Sequence, residues 1–193
     1  MAFLSSTAFE ARVTNNEFDD LCNITGKYKV SDTDADCSAG LLCTRGDLLP
    51  CEGFGSTVFN ENAFVMASAS AATMATEPIY ACNMYEAQLI GHEDKHYFIG
   101  TETLGLGVPA GRYGTFTRIY FDGASKYRFG VGNLTGALSS EAYVILAAGG
   151  MLSAAESAPS DAGTPYFKVM GTGTFVEGTT NSFGYVDLEA QIA

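Results

Sequence analysis

The spacing of short apolar runs is the feature that most constrains how this chain folds. From Ile24 onward, runs rich in Val, Ile, Thr, Tyr and Phe are separated by clusters of Gly, Pro, Asn and Asp. Examples are GKYKV, GTFTRIYF, KYRFGVG, EAYVILAAGG, PYFKVMGTGTFVEG and SFGYVDLEA. β-Branched and aromatic residues favour strands, whereas the separating residues favour turns. The pattern predicts a mainly β protein, as an antiparallel β-sandwich, jelly roll or barrel-like domain.

Three local patterns refine this prediction. Asp122-Gly123 lies between RIYF and KYRF, which predicts a β-hairpin turn. The triplet Arg45-Gly46-Asp47 matches an integrin-binding tripeptide, but its flanks favour a Gly-centred tight turn between two strands. Residues 67–76 are small and uncharged, and they fit either a short helix or a tightly packed loop.

The first 22 residues differ from the rest of the chain. Ser5 is a candidate N-cap, and Phe9 and Val13 have the i, i+4 spacing of a helical face. The segment is predicted to be a short helix or an extended arm outside the core, ordered on a partner. We therefore divide the chain into an N-terminal arm, residues 1–22, and a single β-rich domain, residues 23–193. Deleting residues 1–20 is expected to leave that domain folded but to weaken assembly.

Charge and hydropathy exclude several classes of protein. The net charge is −12, and such an acidic surface repels phosphate backbones, so a nucleic-acid partner is not expected. No apolar run is long enough for a membrane span, and the start MAFLSSTAFEARV lacks the features of a signal peptide. Synthesis in a cytoplasm, with no membrane partner, is the expectation.

The cysteines indicate thiols rather than a metal or redox motif. The five cysteines all lie in the first 82 residues, and none forms a C-x-x-C pair. They are Cys22, Cys37, Cys43, Cys51 and Cys82. An odd number without a secretory signal favours free, mostly buried thiols. A Cys37–Cys51 disulfide is the alternative if the protein meets oxidising conditions.

The stretch QLIGHEDKHYFIG contains the pattern H-E-x-x-H, formed by His92, Glu93 and His96. On a helix, the two histidines would share a zinc ion and the glutamate would act as general base. Here only GHEDKH separates two strand-like runs, which predicts a hairpin tip whose charged residues face water. Ile99 and Glu102 stand where a metzincin has its Gly and third His. A zinc metallopeptidase is therefore a remote alternative.

Other motifs give no active site. GLGVPA, from Gly105 to Ala110, imitates a dinucleotide fingerprint, but it contains Pro109 and has no βαβ unit around it. Its glycines are expected to allow positive φ angles in a turn. The neighbouring carboxylates Asp34 and Asp36 have no apolar pocket to raise their pKa values. We predict no catalytic, cofactor-binding or metal-binding residue, no cofactor and no enzymatic activity.

Several phrases together carry a resemblance to a known class of protein. They are CSAGLLCTRGDLLPCEGF, EPIYACN, TLGLGVPAG, YRFGVGNL and GTPYFKVMGTGTFVEG. Their order resembles that of small virion structural proteins of tailed phages and prophages of Firmicutes, over roughly residues 37–189. The resemblance implies a capsid decoration or head-stabilising protein, or less readily the shell protein itself. The implied partners are the major capsid protein and further copies of the chain, with a trimer favoured. The implied location is the capsid exterior, after synthesis in the host bacterial cytoplasm.

A different class is also compatible with the sequence. A β-sandwich binding module for carbohydrate or a host surface would need exposed aromatic side chains in one cleft. Tyr80, Tyr85, Tyr113 and Tyr120 are the candidates for such a platform.

Overall fold

The computed structural model describes residues 9–13, 23–50, 59–85, 107–138, 142–177 and 181–193. Its strands form two six-stranded sheets, which confirms the prediction of a mainly β protein with a barrel-like sheet. The first sheet contains β2 (Asn23–Val30), β3 (Thr33–Asp34), β4 (Leu42–Pro50), β5 (Phe59–Ser68), β6 (Ile79–Tyr85) and β7 (Gly114–Ile119). The second contains β1 (Phe9–Val13), β8 (Lys126–Gly130), β9 (Tyr143–Leu146), β10 (Leu152–Ala155), β11 (Pro165–Glu177) and β12 (Asn181–Ile192). The helix α1 (Ala71–Met74) connects β5 to β6.

The first sheet closes on itself. Its order is β3-β2-β5-β4-β6-β7, and an additional pairing between β2 and β7 completes the barrel. β2 runs parallel to β5, which differs from the antiparallel expectation. Alternate residues of β2 are buried, as a strand with one face on a core requires. The barrel interior holds, among others, Ile24, Tyr28, Met66 and Phe116.

The second sheet is open, with the order β1-β8-β12-β11-β9-β10. One face of this sheet packs against the outside of the barrel. The shared core combines Phe129 and Phe167 of the open sheet with Leu42, Ile79 and Ile119 of the barrel. Because these apolar side chains lie in one cluster, the two sheets are held together by a common hydrophobic core.

The N-terminal segment contributes to this core. Phe9–Val13 forms strand β1, antiparallel to β8, so the helical alternative is wrong for these residues. Phe9 is fully buried, with its ring 6.0 Å from that of Tyr127 and 5.2 Å from that of Phe129. The expectation that residues 1–22 lie outside the core is therefore wrong at Phe9, because its ring fills an aromatic cluster of the open sheet.

The turn at Asp122 forms, but the predicted hairpin does not. β7 belongs to the barrel and β8 to the open sheet, so the chain crosses between sheets here. The Asp122 carboxylate accepts hydrogen bonds from the backbone N–H of Ser125 (2.7 Å) and of Ala124 (3.0 Å), while Gly123 has a φ of 75°. Burial raises the pKa of Asp122, but these hydrogen bonds outweigh it and the pKa is lowered.

The other two local patterns have different outcomes. Residues 71–74 form α1, capped by Ser70, so the helical alternative is correct for this part of residues 67–76, whereas Ala67 and Ser68 end β5. The predicted turn at Arg45-Gly46-Asp47 is wrong, because the triplet lies inside β4. Arg45 pairs with Met66 and Leu48 with Phe64, so one extra residue is accommodated as a bulge in a continuous strand.

Candidate assembly surface

The hairpin of β11 and β12 extends beyond the strands that flank it. The two strands pair from Pro165 with Ile192 to Glu177 with Asn181. β9 pairs with β11 at Phe167 and Lys168, and β8 pairs with β12 from Tyr185 to Glu189. Over the residues that the structure describes, no third strand flanks residues 171–177 and 181–184. We call this two-stranded part the distal ribbon.

A β-bulge marks the point where the distal ribbon leaves the sheet. Val169 pairs with Leu188 and Gly171 pairs with Asp187, so Met170 is an extra residue in β11. Its side chain is 48% exposed. Bulges bend a strand and increase its twist. The bulge therefore reorients the hairpin where the pairing with β9 ends.

A stack of side chains fixes the base of the distal ribbon. A Cβ atom on Gly173 would overlap the ring of Tyr185, so this ring lies directly on the backbone of its cross-strand partner. The Arg128 guanidinium lies 3.8 Å from the centre of the same ring. Arg128 also donates two hydrogen bonds of 2.7 Å to the Asp187 carboxylate. The stack orients the ribbon relative to β8.

An apolar groove lies beside this base. It has a volume of about 520 Å³, and its lining includes Val131, Leu134, Leu138, Thr172 and Tyr185. None of the described residues that line it is charged. The volume lies in the range of about 300–1,000 Å³ that is typical of binding pockets. The groove is open to solvent and large enough for aromatic side chains.

The distal ribbon is also uncharged over most of its length. Residues 169–176 read VMGTGTFV and residues 181–186 read NSFGYV, on a chain whose net charge is −12. Its register pairs Phe175 with Phe183 close to the end of the hairpin. Natural proteins protect exposed strands with charges or proline. The ribbon has the bulge at Met170 but neither a proline nor, before Glu177, a charge.

The residues of the zinc hypothesis lie outside the described part of the chain. This holds for His92, Glu93, His96, Ile99 and Glu102. Within the described ranges, no three His, Cys, Asp or Glu side chains are grouped so that they could hold a metal ion. In those same ranges, no helix has both the length and the apolar character to cross a membrane.

The described part of the GLGVPA stretch, residues 107–110, packs against the segment around Cys37. Val108 exchanges backbone hydrogen bonds with Cys37, at 2.7 and 2.8 Å. A Cβ atom on Gly107 would collide with the Cys37 carbonyl oxygen, so this glycine allows two backbones to approach closely. The expectation of a positive φ angle is wrong for Gly107, whereas Gly111 just beyond the motif has a φ of 73°.

The predicted carboxylate pair is held by local contacts. Asp34 lies 3.9 Å from the Lys29 ammonium group, and Asp36 accepts a 2.8 Å hydrogen bond from the backbone N–H of Ala110. Both residues are exposed.

Three cysteines form a buried thiol cluster in the barrel. Cys37, Cys43 and Cys82 are free and buried, as predicted; Cys22 and Cys51 lie outside the described residues. Hydrogen bonding with Cys43 and burial raise the pKa of the Cys37 thiol, and Cys82 opposes this in part. Hydrogen bonding with Cys37, together with burial, also raises the pKa of Cys82. The disulfide alternative fails at Cys37, which is free in this structure.

The candidate aromatic platform is not assembled by the described side chains. Tyr80 is 3% exposed and lies in the barrel core, so its assignment to a surface platform is wrong. The Lys27 ammonium group covers the ring of Tyr113 at 4.4 Å, and the Arg118 guanidinium covers Tyr120 at 4.9 Å. The side chain of Tyr85 lies outside the described part of the structure.

The fold and the surface together define a mainly β protein in which a closed barrel and an open sheet share one core and a two-stranded ribbon extends from the open sheet. No protein-family model, curated protein or solved structure matches the chain.

Proposed function

We propose that this chain is a non-enzymatic virion structural protein. In this proposal it is a capsid decoration or head-stabilising protein that docks on the major capsid protein as a homo-oligomer. The observation that carries the proposal is the distal ribbon. A two-stranded hairpin is marginally stable by itself in water, so a ribbon of this length gains stability from a partner that covers it. Structural proteins that assemble with other copies or with a shell bury such elements in their interfaces.

The charge distribution supports the same role. A net charge of −12 disfavours a position against packaged nucleic acid and favours the outer surface of a capsid. The uncharged ribbon and groove are then the places where a second macromolecule approaches without charge repulsion. The proposal places the protein on the capsid exterior after synthesis in a bacterial cytoplasm, as a cyclic oligomer with a trimer favoured.

The carbohydrate-binding alternative has less support. Sugar-binding platforms need aromatic faces that are open to the ligand. Lys27 and Arg118 each cover an aromatic ring on the barrel, and Tyr80 is buried. The three candidate tyrosines whose side chains are described, Tyr80, Tyr113 and Tyr120, therefore do not form an open platform.

The proposal is tested by the composition of particles. Quantitative mass spectrometry of purified virions should find the chain in a fixed ratio to the major capsid protein. Purified chain added to shells assembled from the major capsid protein alone should co-sediment with them and saturate at the same ratio. A chain that is absent from purified virions and fails to bind such shells would contradict the proposal.

A further inference from the structure

We propose that Cys37 and Cys82 are a redox-sensitive pair, free in this structure, that is joined as a disulfide through exchange with a small-molecule disulfide such as oxidised glutathione. The pair lies in the barrel core, away from the ribbon and the groove, so this inference goes beyond the proposed function and does not depend on it. The bond would tie the turn that follows Cys37 to strand β6.

The backbone holds the two cysteines beside each other. The N–H of Cys82 donates to the carbonyl oxygen of Leu41 at 2.9 Å, and the N–H of Gly40 donates to the carbonyl oxygen of Cys82 at 2.7 Å. Cys37 is also held by its two backbone hydrogen bonds with Val108. Because Cys37 and Cys82 are 45 residues apart in sequence, it is the fold that brings them together.

The two side chains are close as well. The Cys82 thiol donates to the carbonyl oxygen of Cys37, with the Cys82 Sγ at 3.7 Å from that oxygen. The thiols of Cys37 and Cys82 are also hydrogen-bonding partners of each other. A disulfide needs an S–S distance of about 2.05 Å, which two thiols in mutual contact reach by small side-chain rotations.

Cys43 is the competing partner within the same cluster. Its thiol also hydrogen bonds with Cys37, but its Sγ is directed at the carbonyl oxygen of Leu41, at 3.7 Å. A Cys37–Cys43 bond would also join two residues of one short segment, whereas a Cys37–Cys82 bond closes a much longer loop. Disulfides that close longer loops constrain the unfolded chain more strongly. Cys82 is therefore the assigned partner.

The exchange is balanced by the small disulfide. The Cys37 thiolate attacks one sulfur of oxidised glutathione and expels one glutathione thiolate. The Cys82 thiolate then attacks the Cys37 sulfur of this mixed disulfide and expels the second glutathione. Two protein thiols and one small disulfide thus become one protein disulfide and two glutathione thiols. The two electrons and the two protons that the protein loses end on glutathione.

Burial makes this reaction depend on local opening of the barrel. Cys37 is 1% exposed and Cys82 is 0% exposed, so oxidised glutathione does not reach either sulfur in the closed barrel. The raised pKa values keep both thiols protonated, whereas the thiolate is the reactive form. The pair therefore stays reduced in a reducing cytoplasm and is oxidised outside it, at a rate that local opening sets.

The test is an oxidation of the full chain. The folded protein is held a few degrees below its melting temperature with oxidised glutathione and is then quenched with acid and N-ethylmaleimide. Digestion with trypsin and chymotrypsin, followed by mass spectrometry, identifies the linked peptides. The main product should be a peptide pair joined through Cys37 and Cys82. The matched control Cys43→Ala should give the same product, whereas Cys82→Ala should give no link from Cys37 to β6. Circular dichroism establishes that both variants are folded.

Thermal melting supplies a second readout. Oxidised wild-type protein should melt roughly 5–15 °C above the reduced protein, because the bond closes a loop of 45 residues, and dithiothreitol should reverse the shift. Cys82→Ala should show no such shift, and an equal shift in that variant would overturn the inference. It is also overturned if Cys37 of the wild-type chain stays free, carries only glutathione, or bonds to Cys43 or to a cysteine outside the cluster. The wild-type peptide map decides this even if a variant fails to fold.

Discussion

Replacing Phe9 by alanine should strongly destabilise the folded protein. Phe9 is fully buried, and its ring contacts those of Tyr127 and Phe129. Truncating a buried Phe to Ala costs about 3–5 kcal/mol, because apolar contacts are lost and a cavity remains. Deleting residues 1–20 removes the same ring and all of β1, so it should cost at least as much. The burial of Phe9 therefore replaces the expectation that this deletion leaves the domain intact.

Urea unfolding measures this loss, followed by circular dichroism at one fixed protein concentration. With a slope of about 3 kcal/mol per molar urea, the midpoint should fall by about 1–1.7 M while the slope stays constant. Phe9→Leu is the matched control and should lose less, because it retains most of the apolar volume. The reasoning would be refuted by a Phe9→Ala midpoint within about 0.3 M of wild type, which corresponds to less than about 1 kcal/mol.

Three further predictions follow from single sites. Gly173→Ala should lower the melting temperature by an amount equivalent to about 1–3 kcal/mol, because its Cβ displaces the ring of the tyrosine opposite, whereas Gly171→Ala should be close to neutral. A lower melting temperature for both glycine variants, or for neither, would contradict the packing of Tyr185 on Gly173. Cys37 and Cys82 should resist alkylation in the folded protein at pH 8. Rapid labelling of the native thiols would refute that prediction. Because the pKa values of both thiols are raised in the folded protein, the unfolded chain loses these protons first. The free energy of unfolding should therefore fall as the pH rises above the ordinary thiol pKa of 9.0. Asp122→Ala should cost about 1 kcal/mol at pH 7, measured by urea unfolding. Because the pKa of Asp122 is lowered, that difference should be present above the ordinary value of 3.8 and disappear as the pH falls below it; a difference that persists in acid would argue against the carboxylate's role.

Strand positions were predictable from the sequence because they depend on local periodicity. In β2, buried Ile24, Gly26 and Tyr28 alternate with half-buried polar residues, as the period of two predicts. Many of the predicted clusters of turn residues likewise lie between strands of the structure. Local patterns of this kind identify a strand, but they do not identify the strand with which it pairs.

The errors concern long-range pairing. Asp122-Gly123 has the residues of a hairpin turn, yet Tyr127 and Phe129 pack with Phe9 and Phe167, which places β8 in the other sheet. Phe9 itself was assigned to a helix or an arm because Phe9 and Val13 have the i, i+4 spacing of a helical face. Its position follows from pairing with β8, which is about 120 residues away in sequence.

The candidate surface was only partly visible in the sequence. Both strands of the ribbon were predicted, but their extension past Lys168 and Tyr185 depends on where the neighbouring strands end. The signal that could have revealed it is the uncharged, Gly-rich stretch from residue 169 to 176 in an otherwise acidic chain. The groove at its base arises from residues on separate segments, so no sequence motif marks it.

Electron cryo-microscopy of purified virions tests the central claim most directly. The account predicts ordered copies of this chain on the outer capsid surface, arranged around symmetry axes, with the ribbon of each copy held by a neighbouring molecule. Virions whose outer surface shows no density for the chain, or whose copies leave every ribbon uncovered, would contradict it.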